Sequence, residues 1–190
     1  MNSNTIDVLN KLELTADEFW NISHQTGNFI SILIKAANIK NVLELGTSNG
    51  YSALWTADAL QYTGGHLTTV EFWEKRQKLA REYIENCGLS SYVTFKTGQA
   101  IDVINNELQN EKYDMVFMDA NKNEYLSLFR AFNPLVKKGG IVLADNVISH
   151  AKKAAPFLEE ILNSSEYQAQ VLDLPDGLLA AYKLKDGSYE

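Results

Sequence analysis

A mostly parallel, doubly wound α/β sheet with helices on both faces and an antiparallel hairpin at its C-terminal edge is the fold class this 190-residue sequence predicts. Two observations predict it. From residue 41 onward, short apolar runs alternate with longer amphipathic ones, the βα rhythm that right-handed crossovers fold into an open parallel sheet. Near the end the rhythm gives way to two apolar runs joined by Pro175-Asp176-Gly177, a turn sequence that suits an antiparallel edge.

The elements follow in order. Residues 5–38 carry helical periodicity throughout, with an apolar stripe through Phe29, Ile30, Leu33 and Ile34. They are expected to lie over the sheet or over the ligand site. Strand 42–45 leads into a helix from 50 to about 61. Strand 67–71 precedes a helix over 73–86, which Gly88 closes two residues later. A third strand, 92–96, is followed by a helix over 100–108. The fourth, 113–118, is almost wholly apolar, as a strand covered on both faces should be, and a helix over 123–132 follows it. A Gly139-Gly140 turn leads into a fifth strand of the same kind, 141–144, and the hairpin pairs 170–174 with 178–184.

One domain spanning 1–190, with 1–40 as a helical N-terminal cap, is the expectation for a chain of this length. Folding at this size buries roughly 70% of the surface that the unfolded chain exposes, enough for a proper core. Usage is ordinary for a globular protein, 45% apolar and 22% charged, which excludes disordered and collagenous chains. Net charge −7 is the wrong sign for a protein that coats nucleic acid, although a local basic rim at Lys137-Lys138 and Lys152-Lys153 stays open. The single cysteine, Cys87, excludes an intrachain disulfide and fits a reducing compartment. The first residues lack the basic and apolar regions of a secretory signal, and no apolar run approaches the roughly 20 residues of a membrane span. A cytoplasmic domain with no membrane association is therefore expected.

Chemistry in such sheets gathers beyond the carboxyl ends of the strands, near the point where strand order reverses. The first strand ends in Glu44-Leu45-Gly46-Thr47-Ser48-Asn49-Gly50, a glycine turn opening a helix. Its Gly-x-x-x-Gly spacing differs from the Gly-x-Gly-x-x-Gly that cradles a dinucleotide pyrophosphate. Glycine at Gly46 would let a ligand approach the backbone, or would simply pack helix on strand. Glu71 ends the next strand, where a carboxylate can accept from both hydroxyls of a ribose or simply face solvent. The fourth and fifth apolar runs stop at Asp119 and at Asp145-Asn146. If those strands are neighbours, two carboxylates and an amide oxygen converge, a hard-oxygen set suited to Mg²⁺, Mn²⁺ or Ca²⁺. Strand-end aspartates also cap helices, so both readings stand on spacing alone. Lys122, three residues after Asp119, is a surface lysine or, beside a cation, a group that can take a proton from a hydroxyl. His24, His66 and His150 are scattered, and neither a nucleophile triad nor a zinc pattern is present in the sequence.

These residues carry a resemblance. The run VLELGTSNGYS at 42–52 resembles motif I of class I S-adenosylmethionine-dependent methyltransferases, whose sheet is Rossmann-like. More narrowly it resembles the cation-dependent O-methyltransferases, among them the catechol and caffeoyl-CoA O-methyltransferases. FMDANKNEY at 117–125, LADNV at 143–147, Gly98-Gln99-Ala100 and Pro175-Asp176-Gly177-Leu178 match that family in register. The resemblance implies that the turn from Gly46 through Thr47 and Ser48 to Gly50 packs on the methionine part of S-adenosylmethionine, with Glu44 and Ser52 nearby. It implies that Glu71 holds the ribose diol, that Phe72 flanks the adenine, and that Gly98-Gln99-Ala100 closes over the adenine edge. Asp119, Asp145 and Asn146 would bind the divalent cation, Asp119 also lying by the cofactor, and Lys122 would be the general base.

The implied activity is methyl transfer to a small hydroxylated, catechol-like acceptor, in a homodimer. Two departures bear on the acceptor: Val147-Ile148-Ser149-His150 stands where plant members carry a Trp-x-Gly segment, and the N-terminal region is short. Bacterial relatives that modify hydroxylated uridine in tRNA make tRNA the alternative acceptor. A nucleoside-binding domain without catalysis is a second alternative, against which the intact Asp119, Lys122, Asp145 and Asn146 set speaks.

Overall fold

The computed structural model describes residues 1–185; residues 186–190 of the expected domain lie outside the described residues. Three helices, α1 (Ser3–Glu13), α2 (Ala16–Phe19) and α3 (His24–Ala36), precede strand β1 (Asn41–Leu45). The chain continues through α4 (Tyr51–Thr63), β2 (His66–Glu71), α5 (Glu74–Asn86), β3 (Val93–Thr97) and α6 (Ala100–Glu107). Strand β4 (Tyr113–Met118), α7 (Tyr125–Phe132), β5 (Val136–Ala144), α8 (Ala151–Asn163), β6 (Tyr167–Leu172) and β7 (Leu178–Lys183) complete it.

The strands form one sheet in the order β3-β2-β1-β4-β5-β7-β6. The first five are parallel, and β7 runs antiparallel between β5 and β6. Strand order reverses between β1 and β4, so the carboxyl ends of those two strands flank the crevice where such sheets take their ligands. Alternation along each strand divides the core in two. In β4, Val116 and Met118 pack with α6, α7 and α8, while Met115 and Phe117 pack with α1, α3, α4 and α5. No helix of the described residues is long and apolar enough to cross a membrane.

The expected fold class is the one observed, with three local differences. The helical stretch 5–38 breaks into three pieces, because Trp20 takes a left-handed φ of 55° and Ser23 starts α3 afresh, accepting from the Thr26 amide at 3.0 Å. Gly139 and Gly140 lie inside β5 instead of turning into it. Tyr113 pairs with Val136 but Met115 with Ile141, so the glycines form a bulge; a Cβ on Gly140 would come within 2.8 Å of the Lys137 carbonyl oxygen. Helix α8 is the third difference. Its buried Ala154, Phe157 and Ile161 recur at helical spacing, a signal that the lysine pair and the internal Pro156 mask.

Candidate functional site

The turn after β1 is built around two left-handed glycines. Gly46 has φ 99°, and a Cβ there would collide with the Asp119 carbonyl oxygen, so glycine is needed for β1 and β4 to close up on each other. This differs from the ligand-approach reason that the sequence suggests. Gly50, φ 88°, seats the start of α4 against Ala80, where a Cβ would lie 2.9 Å from the Ala80 Cβ.

Beneath the turn sits a buried polar chain. Glu44 is fully buried; its Oε1 accepts from the Ser52 hydroxyl at 2.6 Å and its Oε2 from the Thr69 hydroxyl at 2.5 Å. Thr47 and Thr69 hydroxyls meet at 2.5 Å. Glu44, Thr47 and Ser52 thus hold one another below the turn. Burial pushes the Glu44 carboxyl up to about 7, against the two hydroxyl hydrogen bonds that favour its ionised form. An acid raised in the folded state from an ordinary value of 4.5 costs stability as pH climbs from 4.5 to 7, and the cost is constant above that. Between pH 5 and pH 8, urea unfolding should therefore show the wild type losing about 2 kcal/mol more than Glu44→Gln. Equal pH slopes for the two proteins would show that Glu44 ionises freely in the fold.

Glu71, at the end of β2, is held from both sides: Oε2 accepts from the Ser48 amide and Oε1 from the Trp73 amide, each at 2.8 Å. Ser48, itself left-handed at φ 48°, gives its hydroxyl to the Phe19 carbonyl at 3.0 Å, tying the N-terminal segment over the turn. Phe72 is exposed beside this carboxylate, edge-on to Trp73 at 5.9 Å. The Gly98 amide donates to the Glu71 carbonyl at 3.0 Å, which brings Gly98, Gln99 and Ala100 alongside, with Gln99 capping α6. The fold thus gathers Gly46 to Gly50, Glu71, Phe72 and Gly98 to Ala100 at one strand edge.

Across the switch point, parallel pairing of Met118 with Ala144 puts the next residues, Asp119 and Asp145, side by side. The Asp145 amide donates to the Met118 carbonyl at 3.1 Å. Lys122 Nζ lies 2.6 Å from Asp119 Oδ1, an ion pair with only about a sixth of each side chain exposed. Asp145 is 2% exposed, and its Oδ1 is buried without a hydrogen-bond partner. Burial and then the Asp119 charge push the Asp145 carboxyl up to about 8. Burial raises Asp119 too, opposed by the Lys122 ammonium. Asn146 follows at a left-handed φ of 59°. Among the described residues, no group of three or more His, Cys, Asp or Glu is placed to hold a metal ion, and the expected set of two carboxylates and an amide stays below that count.

Two neighbours escape sequence reasoning. The Ile148 and Ser149 amides both donate to the Asp176 carbonyl at 3.0 Å, which folds the hairpin turn back over the 146–150 loop. From there the Asp176 charge raises both Asp119 and Asp145, and that of His150 lowers Asp119. Pro175-Asp176-Gly177 reads locally as a turn only; nothing near it in sequence signals the carboxylate pair it faces.

A cavity of about 340 Å³ lies at the other end of the sheet, walled in part by Lys40, Asn41, Asp114 and Lys137. There Asp114 is already occupied, by the Lys40 and Asn41 amides and by the Lys137 ammonium. The partnerless Asp145 oxygen and the gathered strand-end residues make the carboxyl edge the candidate site.

Known proteins resemble this chain in sequence and in fold. Residues 3–176 match a family model described as O-methyltransferase. The chain is 36% identical over 151 residues to a caffeoyl-CoA O-methyltransferase of Petunia hybrida, covering 76% of this chain and 62% of that protein. It is 38% identical over 133 residues to a catechol O-methyltransferase of Niastella koreensis, covering 69% and 60% respectively. The chain thus spans about three fifths of the length of these curated relatives. An O-methyltransferase of Bacillus cereus, solved in complex with SAH, superimposes with a TM-score of 0.84 at 26% identity, over 96% of this chain and 92% of that one.

Proposed function

The chain belongs to the O-methyltransferase family, and from that premise we propose that it transfers a methyl group from S-adenosylmethionine to a hydroxyl of a small acceptor bearing two neighbouring oxygens, such as a catechol, with the help of a divalent cation. The observation that carries the reading is the buried, partnerless Asp145 Oδ1 beside the Asp119–Lys122 pair at the switch point. A buried carboxylate oxygen without a donor is unfavourable unless a cation or a proton takes it, so the donor set fits a hard divalent ion held by Asp119, Asp145 and Asn146. The other half of the crevice fits the cofactor: a tight glycine turn, an amide-anchored Glu71 and the exposed Phe72 ring. The SAH complex of the Bacillus cereus relative supports the same cofactor class, since SAH is what S-adenosylmethionine becomes on losing its methyl.

Each residue then has a task that its surroundings allow. Glu71, rigid between two amides, keeps lone pairs free to accept from both ribose hydroxyls. Lys122 Nζ, once its ammonium has released a proton to solvent and left Asp119, is a neutral amine whose lone pair accepts the proton of the attacking hydroxyl. When bound, a divalent cation supplies Lewis acidity to the acceptor oxygens. The two halves of the strand edge hold the acceptor oxygen in line with the methyl group, so positioning supplies much of the acceleration. Net charge −7 gives no general attraction for the phosphates of a tRNA, which is why the small acceptor leads.

Calorimetric titration of S-adenosylmethionine followed by transfer of labelled methyl to catechol, with and without EDTA, tests the reading. Wild type should bind the cofactor and methylate catechol only when a divalent cation is present. Glu71→Gln, isosteric but uncharged, should bind S-adenosylmethionine about tenfold or more weakly. Cofactor affinity that ignores this substitution would remove Glu71 from the ribose.

A further inference from the structure

We propose that the hydroxyl of Tyr125 is a positioning group that sets the Asp145–Asn146 corner and so keeps the cation site assembled, an inference that rests on the metal-assisted reading above. Tyr125 is fully buried at the start of α7, directly after the turn that carries Lys122. Its hydroxyl lies 3.1 Å from the Met118 carbonyl oxygen and 3.0 Å from the Asp145 carbonyl oxygen. Those carbonyls belong to the peptides that lead into Asp119 and Asn146. A phenol has one proton, so the hydroxyl shares it between the ends of β4 and β5 and draws the two strand ends together. The same ring passes 5.8 Å from Lys122 Nζ. One side chain therefore touches both strand ends and the lysine.

Packing alone does not explain a tyrosine here. Its ring stands edge-on to Phe157 at 5.8 Å, a contact that phenylalanine would make equally well. A buried hydroxyl is unfavourable unless it is hydrogen-bonded, and these two carbonyls are the partners it reaches. The corner it holds is itself under constraint, because Asn146 sits at φ 59° where a side chain is disfavoured. The Val147 amide, on the Gly177 carbonyl at 3.1 Å, and the His150 amide, on the Asn146 carbonyl at 3.0 Å, hold its far side. With the Tyr125 proton gone, the carbonyl of the peptide between Asp145 and Asn146 loses its side-chain partner, and the Asp145 carboxyl and Asn146 amide lose the anchor that fixes their direction on this side.

Tyr125→Phe keeps the ring and removes only this hydrogen bond. Mn²⁺ affinity, measured with the metal alone by electron paramagnetic resonance, should fall about 10–100-fold, the loss usual for a group that orients a metal ligand. S-adenosylmethionine affinity should stay within about twofold, and hydrogen exchange over residues 143–148 should quicken while that of 44–52 does not. Phe157→Leu, which loosens packing behind the same ring, should lower the melting temperature and leave Mn²⁺ affinity intact. A folded Tyr125→Phe protein that binds Mn²⁺ as tightly as wild type overturns the proposal. If wild type binds no Mn²⁺, the metal reading falls; exchange over 143–148 then decides the role of Tyr125, and equal rates in the two proteins refute it.

Discussion

Asp145→Asn should abolish methyl transfer and, in EDTA, raise the melting temperature. The two effects share one cause. The folded protein holds the Asp145 carboxyl at about 8, far above its ordinary 3.8, because burial and the Asp119 charge disfavour the carboxylate. An acid raised on folding is most compatible with the fold when protonated, so its contribution worsens as pH rises from about 4 to 8. Asparagine has nearly the same shape and no charge. At pH 8 the variant should melt about 10–15 °C above wild type, on the order of 5 kcal/mol for a chain of this size, and the difference should vanish near pH 4. Activity should fall at least about hundredfold, since a neutral amide replaces a charged cation ligand. Calorimetric scans at pH 4 and 8, alongside a labelled-methyl assay, read both. A variant active to within tenfold of wild type would end the metal-assisted mechanism, whatever its melting temperature.

Lys122→Ala should lower kcat by about 10²–10⁴-fold, the usual contribution of a positioned base, with cofactor affinity unchanged. Loss of the base is only one route to that result, because alanine also strips Asp119 of its 2.6 Å partner. Lys122→Arg separates the two. Arginine keeps a cation beside Asp119 but does not lose its proton in a protein, so the variant should stay as inactive as alanine. Recovery of more than about a tenth of wild-type kcat in the arginine variant would show that residue 122 serves to orient Asp119 and takes no proton.

Most of the fold is legible along the chain. The central parallel strands announce themselves because a strand covered on both faces must be apolar over most of its length, as Tyr113–Met118 is apart from Asp114. The hairpin is legible because Pro175, Asp176 and Gly177 supply turn chemistry between two apolar runs. What escapes is where local signals conflict. Lys152, Lys153 and Pro156 disguise the start of α8, whose identity comes from the tertiary burial of Phe157 and Ile161. Gly139 and Gly140 read as a turn because a bulge and a turn draw on the same residue, and only the pairing of β4 with β5 distinguishes them.

The candidate site divides along the same line. Strand-end acids, a glycine turn and a lysine three residues past an aspartate are features of the chain itself, and the sequence alone determines which side chains end the strands and hence the chemistry available. Tertiary structure decides which of them meet. Only the β1/β4 switch and the β4/β5 register set Asp119 beside Asp145, and only the folding back of the 175–177 turn brings Asp176 to face them. Only in the folded protein do Glu44, Thr47 and Ser52 withdraw beneath the turn and the Tyr125 hydroxyl reach Met118 and Asp145, residues 7 and 20 positions away. The reason is physical: residue type and alternation act over a few neighbours and are written locally, whereas burial, which sets Asp145 near 8 and leaves its oxygen without a partner, exists only once distant strands close on one another.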